Sequence, residues 1–310
     1  MSQSEPAWSD WRPLTGWSPA LGVLTETLDG GQSFAWFREP KPSTLHSLGN
    51  GGSSNLQSMP DCVWTGRWCS HVVQLHFASG ALQWRGLPGT TAAMLHHYIG
   101  SETDWTVLTD TLPWRSDAHL AQCLAAFPSL RILRQPFGET LLGFLCSATK
   151  QIVQIKQMIA LLAERHGATI APGHRRLPTW EELAKIPETE LRGCLLGFRA
   201  RYISDTAKFL ARHPGWLDET EQLPYAAAKA RLIELPGVGE KVADCVLLFG
   251  AGRLEAFPVD TWVLKSLARR YGLTGWKPAP VAHFGRTHFG PLAGLAQQYL
   301  FAWERRHGGR

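Results

Sequence analysis

The chain lacks the marks of export. Its opening residues, MSQSEPAWSDWRP, carry acids, tryptophans and a proline where a signal peptide needs a basic end and an apolar run. No run of about eighteen apolar residues occurs, so no membrane-spanning helix is predicted. Cysteines are few and scattered: Cys62, Cys69, Cys123, Cys146, Cys194 and Cys245 form no CxxC pair, and no histidine stands at zinc-ligand spacing. Neither a disulfide framework nor a metal site is therefore expected, and reduced thiols fit a cytoplasmic or nucleoid setting. No repeat recurs at a constant period, which argues against a solenoid.

What the chain does have is ordinary bulk and a mild basic excess. With 310 residues, 44% of them hydrophobic, it can bury a real core without staples. Lys and Arg outnumber Asp and Glu by 31 to 26, a net charge of +5, which favours polyanionic partners without requiring them.

The pattern along the chain divides it. Residues 17 to 37 and 62 to 86 read as strands of an antiparallel sheet, with alternation clear in Cys62-Val63-Trp64-Thr65 and His71 to Phe77. Between them Pro40 to Pro60, containing LGNGGSSNLQS, reads as a mobile loop. From about residue 90 the period becomes helical, as in Ile152, Ile155, Ile159 and Leu162. Gly167 to Pro178 reads as a loop, Thr179 as the start of a capping box, and a further helix as running from near Ala200 to before His213-Pro214. The expected class is α+β: an antiparallel sheet domain over 1–112 and a helical region over 113–310.

The most informative stretch runs from Lys229 to Tyr271. A helix ending at Glu234 meets Leu235-Pro236-Gly237-Val238-Gly239, and a second helix begins at Glu240, giving a hairpin over 229–250. Two glycines one residue apart allow a tight turn and close approach to a ligand, while the first amides of the new helix have no intrahelical acceptor. Such an end attracts phosphate oxygens. An ordinary helical hairpin with a glycine linker would also produce a lone GxG. The helical pattern on both sides makes LPGVG more specific.

This hairpin, followed by Phe257-Pro258-Val259-Asp260, resembles the helix-hairpin-helix (HhH-GPD) glycosylase superfamily, and within it the 8-oxoguanine DNA glycosylase/lyases. The resemblance continues through GGQSF (Gly30 to Phe34), RILRQPFGETLLGFLCS (Arg131 to Ser147), LGFRARYIS (Leu196 to Ser204) and FGPLAGLAQQYLF (Phe289 to Phe301). It implies a TBP-like N-terminal sheet, double-stranded damaged DNA as the partner, a monomer, and no required cofactor, with room for a monovalent cation at the hairpin. Gly237, Gly239 and Val242 would meet the DNA backbone. Lys241 aligns with the Schiff-base lysine. An amine with an ordinary pKa of about 10.4 must lose a proton to act as a nucleophile, which the positive end of the helix dipole and partial burial would favour. Without the resemblance, a solvated lysine beside a phosphate clamp is the more economical reading. Asp260 aligns with the carboxylate that steadies the developing sugar cation, and its position before TWVLKSLARRYG also suits a helix cap.

The same resemblance assigns base recognition. Gly31 would accept from the N7 hydrogen that 8-oxoguanine has and guanine lacks, Cys245 and Phe301 would sandwich the purine beside Pro258, and Gln297 would read its pairing edge. Taken singly, these would be a turn glycine, core residues and a surface amide. Phe198 would fill the vacated stack and Arg199 would read the orphaned cytosine. The chain departs from the family at Ala148-Thr149-Lys150-Gln151, at Gln154 where an arginine helps read cytosine, and at Trp262 where a histidine stands. Two alternatives stay open: an alkylpurine (3-methyladenine-type) glycosylase of similar fold, and a non-catalytic damaged-DNA-binding protein. An iron-sulfur glycosylase is disfavoured, because no cysteine follows Tyr271.

Overall fold

A computed structural model describes residues 7–40, 62–78 and 80–308. The loop expected between Pro40 and Pro60 lies outside the described residues, apart from the end of the strand that enters it. The sheet has five antiparallel strands: β1 (Arg12–Pro13), β2 (Trp36–Pro40), β3 (Cys62–Trp68), β4 (His71–Ala78) and β5 (Ala81–Gly86), in the order β1-β5-β4-β3-β2. Trp64 pairs with Leu75 and Leu75 with Trp84, so three bulky residues line up across three strands on one buried face.

The strand reading of residues 17 to 37 holds only at its end. Leu21–Asp29 is an α-helix, because Val23, Leu24, Thr27 and Leu28 bury one helical face. A second correction concerns Gly167 to Pro178, which contains the small hairpin Thr169–Ala171 and His174–Arg175. Pro172 and Gly173, the latter at φ +74°, supply a turn that closes it.

The helices that build the site are α1 (Phe137–Leu145), α2 (Ile152–His166), α3 (Arg199–Arg212), α4 (Tyr225–Ile233), α5 (Glu240–Phe249), α6 (Thr261–Arg270) and α7 (Ala293–His307). The capping box at Thr179 is present: Glu182 N donates to Thr179 Oγ1 (3.2 Å) and Thr179 N to Glu182 Oε2 (2.8 Å). Two hydrophobic cores form. One lies beneath the sheet around Trp36, Trp64 and Tyr98, and the larger surrounds α1 and α5. Trp105 and Leu112 pack in the larger core, as do Val23 and Phe34 from the N-terminal part, so the chain's two ends are joined by apolar burial.

Candidate active site

The hairpin forms as its sequence dictates. α4 ends at Ile233, α5 begins at Glu240, and Gly237 turns between them at φ +80°. A Cβ on Gly237 would lie 2.6 Å from the Tyr202 ring, so only glycine lets the hairpin sit against α3. Gly239 differs, since a Cβ there would meet nothing within 4 Å. It is the N-cap of α5 and no side chain caps that end, which leaves the first amides to an outside acceptor. Beneath the hairpin, buried Asp244 accepts from Tyr225 Oη (2.6 Å) and Lys229 Nζ (3.0 Å), tying α5 to α4.

Lys241 stands in the first turn of α5. Its Nζ donates to Ser147 Oγ (3.1 Å) and lies 5.1 Å from the Phe144 ring centre. Ser147 Oγ in turn donates to the Phe144 carbonyl (2.7 Å), so its one proton is committed and a lone pair faces the lysine. Ser147 thereby holds one N–H of the amine and fixes the amine's direction. Sequence reasoning gave Ser147 no role, and nothing local could, because the contact joins residues 94 positions apart.

Asp260 caps α6, with Oδ1 accepting from Trp262 N (3.0 Å) and Val263 N (2.9 Å). The cap therefore leaves Oδ2 free for other work. Burial lifts the Asp260 carboxyl above the usual carboxylate range, against the pull of those two amides and of the Lys241 charge. Cys245, one turn after Lys241, is buried between these charges, and desolvation pushes its thiol up to about 12, with Lys241 opposing. It is a packed neutral thiol rather than a nucleophile.

Gly31 reaches the same region from the other end of the chain. Buried Gln32 pins it: Gln32 Nε2 donates to Arg131 O (2.9 Å), while Gln32 Oε1 accepts from Leu133 N (3.0 Å) and Gln32 O from Gln135 Nε2 (2.6 Å). Gly31 has φ +106°, and a Cβ there would come within 3.1 Å of Ile152 Cδ1 and 3.6 Å of Phe301 Cε1. Gly31, Ile152 and Phe301 thus border one narrow place. Gln297 is buried on α7, donating to Pro258 O (3.0 Å) and accepting from Gln298 Nε2 (2.7 Å).

Phe198 projects into solvent, with the Arg199 guanidinium 4.3 Å from its ring centre. Arg199 is folded inward. It donates to Leu196 O (3.2 Å), Thr149 Oγ1 (3.1 Å) and Ala148 O. Gln154 is turned back on its own helix, where Oε1 accepts from Gln151 N (3.2 Å). Trp262 lies 5.8 Å from Lys265 Nζ. Among the described residues no group of three or more His, Cys, Asp or Glu is placed to hold a metal ion. Of the hairpin's backbone carbonyls, those of Leu235 and Pro236 already accept from Val238 N (3.1 Å) and Thr206 Oγ1 (3.5 Å).

The Lys241 charge acts on the Asp260 carboxyl at the start of α6, and Arg305, which also acts on Asp260, lies 5.7 Å from the ring centre of Phe301, the neighbour of Gly31. Residues 142–284, which hold both Lys241 and Asp260, match the family model described as HhH-GPD superfamily base excision DNA repair protein. Over that stretch the chain is similar to the HhH-GPD superfamily. It is 33% identical over 206 residues to N-glycosylase/DNA lyase OGG1 of Arabidopsis thaliana, covering 61% of this chain and 56% of that protein. It is 38% identical over 119 residues to a probable N-glycosylase/DNA lyase of Methanothermobacter thermautotrophicus, covering 38% of each. The matched stretches thus span about half or less of these curated relatives. Among solved structures, the Clostridium acetobutylicum 8-oxoguanine glycosylase/lyase with dsDNA containing cytosine opposite 8-oxoG superposes with TM-score 0.79 at 28% identity, covering 92% of both chains. The stretch that matches the family model holds the hairpin, Lys241 and Asp260. Among the described residues no helix is long and apolar enough to cross a membrane.

Proposed function

We propose that this protein is a bifunctional DNA glycosylase/lyase that extrudes 8-oxoguanine from duplex DNA, removes it and nicks the strand. The observation that carries the reading is that Lys241, held by Ser147, stands at the start of α5 within electrostatic reach of the Asp260 carboxyl. The amine of Lys241 attacks C1′ of the extruded nucleotide as the bond to the purine breaks. The electron pair leaves with the base, which takes up a proton. The Asp260 carboxylate steadies the positive charge that grows on the sugar. The C1′–N bond becomes an imine as the ring opens, a proton leaves C2′, and β-elimination expels the 3′ phosphate. Water then releases Lys241.

Gly31, Cys245, Pro258, Gln297 and Phe301 form the proposed purine slot. Gln297 reads a base by giving up one of its present partners, Pro258 O or Gln298. Phe198 fills the vacated stack, Arg199 faces the partner base after leaving its inward bonds, and the amides around Gly237, Gly239 and Val242 take a phosphate. No step requires a cofactor. Every residue of the proposed site comes from one chain, which supports a monomer, and a DNA substrate would put its work in the cytoplasm or nucleoid. The smaller core, drawn from residues between Leu14 and Ile99 with Leu133, supports a sheet domain within 1–112, and Val23, Phe34, Trp105 and Leu112 join that part to the helical region 113–310.

Incubation with duplex containing 8-oxoguanine opposite cytosine, followed by borohydride, is expected to trap the protein covalently. A trap that persists in Lys241→Gln refutes the assignment. Excision of 3-methyladenine with 8-oxoguanine ignored points to the alkylpurine class, and salt-sensitive binding without cleavage to a non-catalytic binder.

A further inference from the structure

Several large hydrophobics are exposed on the segment that carries Phe198, whose ring lies 5.9 Å from that of Tyr202, and on the helix that follows Thr149. Leu195 and Phe198 are each 51% exposed, Tyr202 37% and, at the start of α2, Val153 67%. A single exposed leucine is unremarkable, but Leu195 is held out by its backbone. At φ +62°, ψ +16° it occupies the left-handed region, where a bulky residue persists only if its surroundings enforce it. Its neighbours Cys194 and Leu196 are both 0% exposed and anchor the turn on either side, and Gly197 (φ +56°) completes the reversal. The left-handed residue interrupts the helical course between two buried anchors and leaves an apolar side chain in water three positions before Phe198.

The segment is braced. Arg199 bonds Leu196 O on this turn and both Ala148 O and Thr149 Oγ1 on the facing loop, where Thr149 is itself left-handed at φ +55°. One buried guanidinium therefore ties together the two segments with unfavourable backbone conformations beside the site. A strained, braced turn that spends its strain on exposing a leucine brings no folding benefit. It is suited to a task performed on a partner.

We propose that Leu195 is a second wedge, entering the base stack beside Phe198 so that both strands are supported when a nucleotide is extruded. The inference rests on the proposed DNA function and deepens it. Extrusion unstacks bases on both strands, and apolar side chains that replace the lost stacking hold the opened state. Phe198 alone covers the gap in the lesion strand. Leu195 supports the base step across from it.

The test uses the full chain and a duplex carrying 8-oxoguanine opposite cytosine, with 2-aminopurine beside that cytosine, whose fluorescence rises on unstacking. Leu195→Gly suits the left-handed backbone and removes the side chain. It is expected to keep or raise Tm, to reduce the fluorescence rise and single-turnover excision about tenfold, and to leave borohydride trapping at a pre-formed abasic site within about twofold. Leu195→Asn, which tolerates the same backbone but is polar, should match Leu195→Gly, and Leu195→Met should keep the parental opening. Parental fluorescence and excision in Leu195→Gly overturn the wedge, as does a marked fall in its Tm, which would make Leu195 a packing residue. A parent protein that unstacks the probe but never traps refutes the lyase activity and leaves the wedge standing.

Discussion

Replacing Asp260 by Asn separates the two duties this residue holds. Oδ1 caps α6 through Trp262 N and Val263 N, and Asn caps a helix about as well as Asp. Asp260→Asn should therefore keep stability or raise it slightly at neutral pH, because burial disfavours the charge more than its amide and Lys241 partners favour it. Asp260→Ala loses the cap as well, about 1 kcal/mol or somewhat more. The chemistry should not follow that ranking. A full negative charge about 4 Å from a full positive one, at an effective dielectric near 20, contributes about 4 kcal/mol. The sugar cation is only partly developed in the transition state, so a loss on the order of 10²-fold in single-turnover excision is expected for both variants. Because burial raises the Asp260 carboxyl above the usual carboxylate range, the charge is lost at a higher pH than an exposed aspartate would lose it. The parent's acid limb should lie correspondingly high, and Asp260→Asn should lack it. Quench-flow excision across pH, paired with thermal unfolding, checks both. An Asp260→Asn protein within about threefold of the parental rate refutes the electrostatic role.

Ser147→Ala should slow borohydride trapping by roughly tenfold to a hundredfold with little change in Tm, since one hydrogen bond to a charged or reacting amine is lost, and Ser147→Thr should recover most of it. Gly237→Ala should unfold at a clearly lower temperature because its Cβ meets Tyr202 at 2.6 Å, whereas Gly239→Ala, with open space around it, should keep its Tm and weaken DNA binding in a filter assay. Burial raises Glu139 from 4.5 to about 7, while the Cys69 amide and Arg176 oppose the shift. Its neutral form is favoured on folding, so stability should decline as pH rises from near 4.5 through about 7 and level off above. The ceiling of this effect is about 3 kcal/mol, lowered by partial solvent access, and Glu139→Gln should flatten the slope in denaturant titrations.

Local chemistry made much of the protein legible. The ends of α4 and α5, the span of α3 and the Thr179 capping box follow from glycine placement, short-range periodicity and side chains that reach only three or four residues. The misread parts share a cause. Leu21–Asp29 is short and flanked by strand-like residues, so burial rather than pattern decided its state, and the Thr169 hairpin depends on one Pro-Gly turn.

By itself the sequence determined the hairpin, the place of Lys241 at a helix start and of Asp260 at a cap, because these are questions of spacing along one chain. Only the tertiary structure decided that Ser147 holds the lysine, that Gln32 carries Gly31 to Phe301, and that Arg199 lies folded against Thr149. Those contacts join residues far apart in sequence, and their partners are chosen by how the two cores pack. No local rule reports that choice.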